Sequence, residues 1–360
     1  MPGIWDTRLT EVRSTKILVS AKNDSYAFDC EPREKILHAG LRRAIALPYE
    51  CGTGTCGTCK AKLVEGDVHD GWPEAPGRSY LREAGEFLMC QSAPLADCAI
   101  EVSRVVEPMA VGCCAPDVLG AVVEQRVMLT HDVASLELAP ERPLDFDAGQ
   151  FMLMSAPGIA GSRAYSMVNF APRAGRLVFV VKKKPGGRVS EWLFGAAVEG
   201  ARVDLFGPLG GATFRPDMDK HLLCIAGGSG VAGMMSILSR ATKDRYFERY
   251  RGDVFFGIRT RRDVFFLDEL AGFQAEFPEA LRVTIALSDE DVDPALEARY
   301  PLFGFGRGFV HAVAGERMKG RFNNVRAYAA GPPPMVDATL RMLLVQGKLK
   351  PDNIRYDKFS

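Results

Sequence analysis

The sequence predicts a multidomain α+β and α/β protein: a small α+β unit, then an antiparallel β-barrel, then a parallel-sheet α/β unit. Three observations predict it. The chain has 360 residues, enough for two or three domains. Six short β-type runs follow one another through its middle third, with turn residues between them. From there on, apolar strand-like runs alternate with helix-like ones, the pattern of a parallel sheet.

The elements follow in order. In residues 1–105, KILVS and YAFDC read as a β-hairpin and EKILHAGLRRAI as an amphipathic helix. AKLVEGDV and CAIEVSRVV supply further strands, and LREAGEFL reads as a charged helix-like stretch. Residues 106–117 read as a linker; EPMAVGCCAPDV, over 107–118, is rich in small residues and proline. Residues 118–215 carry the barrel runs AVVEQRVML, VASLELAP, GQFMLMSA, RAYSMVNF, RLVFVVKKK and RVDLFGP, with VSEWLFGAA as a helical insertion. Residues 216–360 alternate HLLCIAG, GMMSILSRAT, GDVFFGI, FLDELAGFQAEF and LRVTIAL. A loop rich in acids and glycine follows, then VRAYAAG, MVDATLRMLLVQG and the final NIRYDKFS.

Composition narrows the function. Apolar residues make up 47% and charged residues 25%, ordinary for a soluble globular protein. Basic and acidic residues number 45 each, so no global charge draws the chain to nucleic acid or an anionic membrane. The longest apolar stretch, Leu222 to Leu238, is interrupted by glycines and reads as strand, turn and helix rather than a membrane span. The charged start MPGIWDTRLTEVR has no signal-peptide pattern. Of nine cysteines, Cys30, Cys98, Cys113, Cys114 and Cys224 form an odd remainder, which argues for free thiols in a reducing cytoplasm.

The other four carry chemistry. Cys51, Cys56 and Cys59 stand in CGTGTCGTCK and Cys90 in FLMCQS. The spacing C-x4-C-x2-C with one distant cysteine is the plant-type ligand pattern of a [2Fe–2S] cluster. Glycines at 52, 54 and 57 let the loop bend and aim N–H groups at sulfur. A zinc ribbon would pair C-x2-C with a second C-x2-C or with nearby histidines, and a redox pair would sit in a thioredoxin-like βαβ context; neither is present. The five histidines are scattered and form no metal or triad pattern.

Three further segments suit nucleotide cofactors. In Arg163-Ala164-Tyr165-Ser166 a strand places Arg163 and Tyr165 on one face. An arginine neutralises phosphate, an aromatic ring packs on a flat cofactor and a hydroxyl bonds a ring nitrogen. Gly186-Gly187-Arg188-Val189-Ser190 opens a helix whose N–H groups suit a pyrophosphate. Gly227-Gly228-Ser229-Gly230-Val231-Ala232-Gly233 contains GxGxxG between a strand and a helix. After the next strand, Arg259-Thr260-Arg261-Arg262 stands where an acid would favour NAD and an arginine would accept a 2′-phosphate. Gly331-Pro332-Pro333-Pro334-Met335 reads as a rigid turn at a strand's carboxyl end, where α/β sheets bind ligands.

With these motifs in this order, the chain resembles the ferredoxin–NAD(P)+ reductase superfamily over nearly its whole length. RxYS and GGxxS are its flavin signatures. More narrowly it is similar to the reductase components of bacterial multicomponent monooxygenases acting on toluene, phenol or methane. The matches are CGTGTCGTCK, WPEAPG, AGQFMLM, SRAYSMVN, GPLGG, IAGGSGVAGMMS, GFVHAV, AGPPPM and YDKF. The resemblance implies a β-grasp ferredoxin domain, an FAD-binding barrel and an NAD-binding α/β domain. It implies that Arg163 contacts FAD phosphate, Tyr165 packs by the ring, Ser166 bonds flavin N5 and Gly187 to Ser190 hold the pyrophosphate. Phe359 would stack near the face where nicotinamide arrives; a mobile terminal aromatic is the alternative. Ala330 stands where family members usually have cysteine, and Leu209 where an aromatic is usual.

The implied activity passes electrons from NADH (NADPH as alternative) through FAD and the [2Fe–2S] cluster to an oxygenase component or its ferredoxin, in aromatic hydrocarbon catabolism. A diiron hydroxylase is the favoured partner, a Rieske-type ring dioxygenase the competing one. A ferredoxin-like relay without NADH oxidation is the reading from another class. The protein is expected to be a cytoplasmic monomer.

Overall fold

The structure, a computed structural model, describes residues 14–110 and 114–359. The start Met1–Arg13, on which no signal-peptide pattern is expected, Cys113 and Ser360 lie outside the described residues. The chain forms two compact units that divide between Asp117 and Val118.

In the first unit, strands β1 (Thr15–Ala21) and β2 (Ser25–Cys30) form the expected antiparallel hairpin. Helix α1 (Ile36–Arg42) follows, then β3 (Lys60–Glu65), β4 (Val68–Asp70), β5 (Glu86–Leu88), β6 (Ser92–Pro94) and β7 (Cys98–Val102). The main sheet has the order β2-β1-β7-β3-β5, and β1 and β7 are its parallel pair. In β1 the alternate residues Ile17 and Val19 are buried, which sets one face of the sheet against α1 and its buried Ile36, Leu37 and Leu41. This mixed sheet clasping one helix is the β-grasp arrangement.

Two local readings change here. LREAGEFL is no helix: Gly85 adopts a left-handed φ of 81°, and the next three residues enter the sheet as β5. The Glu86 carboxylate accepts the Arg82 and Glu83 N–H groups and closes the turn. The expected linker from 106 is tied down at its start. Val106 is fully buried and accepts from Asn23 and Tyr26, and the Met109 N–H reaches the Ala44 carbonyl.

The second unit begins with the six expected barrel strands: β8 (Asp117–Met128), β9 (Val133–Pro140), β10 (Phe151–Ser155), β11 (Arg163–Ser166), β12 (Leu177–Lys182) and β13 (Arg202–Leu209). Their order is β11-β10-β13-β8-β9-β12, and a Met167–Phe179 bridge joins the two ends into a nearly closed barrel. Helix α2 (Arg188–Leu193) is the insertion.

The rest is a parallel sheet of order β17-β16-β15-β14-β18-β19. It is built from β14 (His221–Gly227), α3 (Val231–Lys243), β15 (Gly252–Ile258), α4 (Leu267–Glu276), β16 (Leu281–Leu287), α5 (Pro294–Arg299), β17 (Gly304–Arg307), α6 (Val310–Arg317), β18 (Val325–Gly331), α7 (Pro333–Val345) and β19 (Ile354–Lys358). The segment read as one loop after LRVTIAL contains α5, β17 and α6. Its strand is short and half-exposed and its glycines mask the periodicity. The GPPPM turn also differs: Pro333 to Met335 already form the first turn of α7, where proline's missing N–H costs nothing.

Barrel and parallel sheet share one apolar core. Hydrogen bonds lock them together: Ser236 Oγ to the Asn169 carbonyl (3.1 Å), Lys243 Nζ to the Phe170 carbonyl (2.7 Å) and Tyr328 hydroxyl to the Thr213 carbonyl (3.0 Å).

Candidate functional site

In the first unit, residues 50–59 form a loop between α1 and β3, and Cys90 follows β5. Left-handed φ values at Gly52 (63°), Gly54 (84°) and Gly57 (72°) curl that loop, conformations open to glycine at little cost. The Thr53 N–H then points at Cys51 Sγ (3.3 Å) and the Thr58 N–H at Cys56 Sγ (3.5 Å). Gln91 Nε2 reaches Cys90 Sγ at 3.4 Å.

The thiols fall into two contacting pairs, Cys51 with Cys56 and Cys59 with Cys90. The Cys56 contact draws Cys51 down to about 4, and the Cys59 contact draws Cys90 down, while their partners are pushed up. Among the described residues, the group of three potential ligands within 4.8 Å of one another is His131, Asp132 and Asp263, not the thiols. One tetrahedral ion would need all four sulfurs around one point; two irons need two pairs. The donor set therefore fits a [2Fe–2S] cluster.

A cover holds this loop. Gly77 donates to the Gly54 carbonyl (2.9 Å), and a Cβ on Gly77 would stand 2.8 Å from that oxygen and 3.0 Å from the Gly57 nitrogen. Tyr80 lies over Gly57. The cover is fixed by an Asp70–Arg78 ion pair and by the Gly71 N–H bonding to the Gln91 carbonyl. Lys35, at the start of α1, is lowered by burial and drawn back up by Cys90 and Cys59.

In the second unit, Arg163 to Ser166 lie on β11 opposite Met154 to Phe151. Arg163 donates to the Ser162 carbonyl at 2.8 Å. Tyr165 is half-buried in contact with the core, and burial pushes its hydroxyl up. Ser166 is buried, and a Cβ on Gly233 of α3 would lie 3.6 Å from its Oγ. Gly187 caps α2. The Ser190 hydroxyl bonds the carbonyls of Lys184 and Gly187, and Glu191 takes the Gly186 N–H at 2.8 Å. That N–H is thus already spent inside the turn, leaving Arg188 and Val189 at the helix start.

The sheet reverses direction at β14. The chain runs outward through β15, β16 and β17, then returns to place β18 on the other side of β14. Such a switch point opens a crevice at the strands' carboxyl ends. Ala226 and Ala330 pair there, so Gly227 to Gly230 and Gly331 to Met335 converge. The fit is tight: a Cβ on Gly230 would stand 2.4 Å from the Ala330 carbonyl oxygen, and Met335 packs on both Gly227 and Gly331. Phe359 arrives by β19. Its N–H donates to the Gly331 carbonyl at 3.1 Å and its ring packs on the core, so it is anchored rather than loose. The glycine turn, Gly331 and Phe359 thus converge at the switch point, and Ser166 lies beside Gly233 of the helix that the glycine turn opens. Arg259 stands apart, at the carboxyl end of β15.

Several residues escaped the sequence reading. Gln91 is signalled only by its position next to Cys90. Thr53 and Thr58 matter through backbone N–H groups, which carry no residue signature. Asp289, Glu290 and Asp293 lie some thirty positions beyond the arginines they contact.

Comparison with known proteins agrees with this architecture. Residues 20–95 match the 2Fe-2S iron-sulfur cluster binding domain, 120–214 the oxidoreductase FAD-binding domain and 224–341 the oxidoreductase NAD-binding domain. A ferredoxin–NAD(P)+ reductase of Metapseudomonas resinovorans is 37% identical over 92% of this chain and 96% of its own length. The ferredoxin–NAD+ reductase component of an alkene monooxygenase system from Xanthobacter autotrophicus is 36% identical over 94% and 99%. A solved ferredoxin reductase of carbazole 1,9a-dioxygenase superposes with a TM-score of 0.81 at 34% identity, covering 97% of this chain and 99% of that one.

The class is thus a flavin- and iron–sulfur-dependent oxidoreductase that takes a [2Fe–2S] cluster, FAD and a nicotinamide nucleotide. The chain belongs to the ferredoxin–NAD(P)+ reductase family, whose members here are reductase components of oxygenase systems. Among the described residues no helix is long and apolar enough to cross a membrane.

Proposed function

We propose that this chain is the NADH-dependent reductase of a diiron monooxygenase, a cytoplasmic monomer organised as domains 1–105, 118–215 and 216–360. The observation that carries the reading is the convergence of Gly227 to Gly230, Gly331 and Phe359 at the switch point of the sheet, with Ser166 of the barrel beside Gly233 at the start of the same helix. When bound, nicotinamide, flavin and cluster supply paired-electron uptake and single-electron release.

The chain's own residues bind and orient. Arg163, with Arg188, Val189 and the Gly186–Ser190 turn, would hold FAD phosphates, and Ala164 and Tyr165 would line the ring. The buried Ser166 hydroxyl, beside Gly233 of α3, would bond flavin N5. Gly227, Gly228, Ser229 and Gly230, with Gly331, Pro332, Pro333 and Met335, would seat the nicotinamide half. Arg259 would meet the adenosine ribose. Phe359 would cover the face at which nicotinamide arrives. Cys51 and Cys56 would hold one iron, Cys59 and Cys90 the other, with Thr53, Thr58 and Gln91 donating to the sulfurs.

A second reading, reductase of a Rieske-type dioxygenase, is favoured by the similarity to the carbazole dioxygenase reductase. The first test is an anaerobic NADH titration followed by absorbance and low-temperature EPR. Flavin bleaching with a rhombic [2Fe–2S] signal is the expected result. Bleaching without that signal would remove the cluster from the path; no response to NADH would overturn the reading. Adding purified diiron hydroxylase or Rieske oxygenase then separates the two partners by which one is reduced.

A further inference from the structure

In sheets of this kind the end of the strand beside the glycine turn reads the ribose 2′ position: an acid there favours NAD, an arginine accepts the 2′-phosphate of NADP. Here that strand is β15, and it ends in Arg259-Thr260-Arg261-Arg262. Sequence order alone therefore admits a phosphate acceptor as well as an NADH site. The structure adds carboxylates to this turn.

Pairing of β15 with β16 continues past both strands. The Ser288 N–H bonds the Ile258 carbonyl (3.1 Å) and the Asp289 N–H bonds the Arg259 carbonyl (2.9 Å). This register brings the acidic turn after β16 alongside the arginines. Arg259 Nε donates to Asp289 Oδ2 at 2.9 Å, and Arg261 donates to Asp293 Oδ2 at 2.7 Å. Glu290 accepts the Arg261 backbone N–H. Asp289 and Asp293 each have a further anchor that holds them in place: Ser288 Oγ donates to Asp289 (2.6 Å), and Asp293 caps α5 through the Ala295 N–H (2.9 Å). Both are held below the usual carboxylate range, Asp289 first by Ser288 and then by Arg259, Asp293 first by the Ala295 N–H and then by Arg261.

We propose that Asp289, Glu290 and Asp293 form an acidic fence that engages Arg259 and Arg261 and excludes 2′-phosphorylated nucleotides, making the site select NADH over NADPH. The proposal rests on the nicotinamide site assigned above and on its preference for NADH. A 2′-phosphate brought to this turn would have to displace carboxylates from the arginines and then remain beside them. Like-charge juxtaposition of that kind is a common repulsive device in specificity, and it costs nothing when the ribose carries only a hydroxyl. Asp289 and Asp293 occupy the guanidinium groups of Arg259 and Arg261, so the fence acts by taking those two donors out of reach of a phosphate; Glu290 then stands as the remaining acid beside the exposed Arg262.

The test uses the purified, cofactor-loaded enzyme. The ratio of kcat/KM for NADH to that for NADPH is measured with ferricyanide, and Kd values for NAD+ and NADP+ by calorimetry, in wild type, D289N, E290Q and the combined D289N/E290Q/D293N. The D293N change keeps a side-chain oxygen at that position for capping α5. The triple variant should lower the NADH:NADPH ratio on the order of tenfold or more and tighten NADP+ binding in parallel. An unchanged ratio with unchanged NADP+ affinity overturns the fence. If the triple variant fails to fold, the wild type decides. The charges are exposed and the Debye length shortens to about 3 Å at 1 M salt, so the ratio should fall as salt rises. A ratio constant across the salt series overturns the proposal. A wild type that prefers NADPH overturns instead the NADH preference on which the proposal stands.

Discussion

The cysteine site of the first unit and the nucleotide crevice of the second are built on opposite plans. Three of four cluster ligands lie within nine consecutive residues, and their spacing alone determines how a loop can wrap metal. The crevice draws on residues near 163, 228, 331 and 359, and nothing local says that they meet. A short-range site is therefore legible in sequence and sensitive to loss of a single atom type. A long-range site is legible only as separate weak motifs, and it is sensitive to how closely backbones approach.

The largest expected effect comes from the short-range site. Cys56→Ser should abolish the EPR signal of the reduced cluster and nearly all reduction of a one-electron acceptor such as cytochrome c. Flavin bleaching by NADH and ferricyanide reduction should survive, because those need only the second unit. Loss of flavin bleaching as well would break the comparison. Next comes Ser166→Ala, expected to slow flavin reduction in anaerobic stopped flow by about a hundredfold through loss of one positioned hydrogen bond. A rate within a factor of two of wild type would remove Ser166 from the chemistry.

Backbone approach gives the third pair. Gly230→Ala drives a Cβ to 2.4 Å from the Ala330 carbonyl oxygen, and should cost about 1–3 kcal/mol of stability in denaturant titration and raise the KM for NADH. Gly77→Ala drives a Cβ to 2.8 Å from the Gly54 carbonyl oxygen, and should instead lower iron content per chain while leaving flavin content intact. Equal effects of both on both sites would show that the two plans are not separable.

The smallest effect is the pH dependence that His38 contributes to the first unit. Burial, and then the charges of Lys35 and Arg42, hold His38 well below its ordinary value of 6.5. Above that value both folded and unfolded chains carry a neutral imidazole. As pH falls through it the unfolded chain gains a proton that the folded chain refuses, so stability is lost downward from about pH 6.5, by at most about 1.4 kcal/mol per pH unit. Chemical denaturation of wild type and His38→Leu between pH 7 and 5 checks this; a slope that survives in the variant would assign it elsewhere.

Much of the fold was readable because alternation and strand–helix succession are local consequences of burial. All six barrel strands and the six-stranded parallel sheet's central members fall where period and turn residues put them. LREAGEFL misled because charged residues at helical spacing also suit a turn before an edge strand, and only Gly85's left-handed φ and the pairing of Leu88 with Lys60 decide between them. The acid-rich segment after β16 hid α5, β17 and α6 because short, half-exposed elements leave no periodicity.

By itself, then, the sequence determined the spacing of the four candidate cluster cysteines, the order of the three folded parts and the strand–turn–helix context of each nucleotide motif. These follow from spacing, from the conformational freedom of glycine and from apolar period. Tertiary structure alone decided the pairing of thiols into two sets of two and the anchoring of Phe359 on the Gly331 carbonyl. It alone brought Asp289, Glu290 and Asp293 against arginines thirty residues earlier. The physical reason is the same in each case. Strand register and chain reversal set which distant groups share a few ångströms, and electrostatics and packing act over that distance, not over sequence separation.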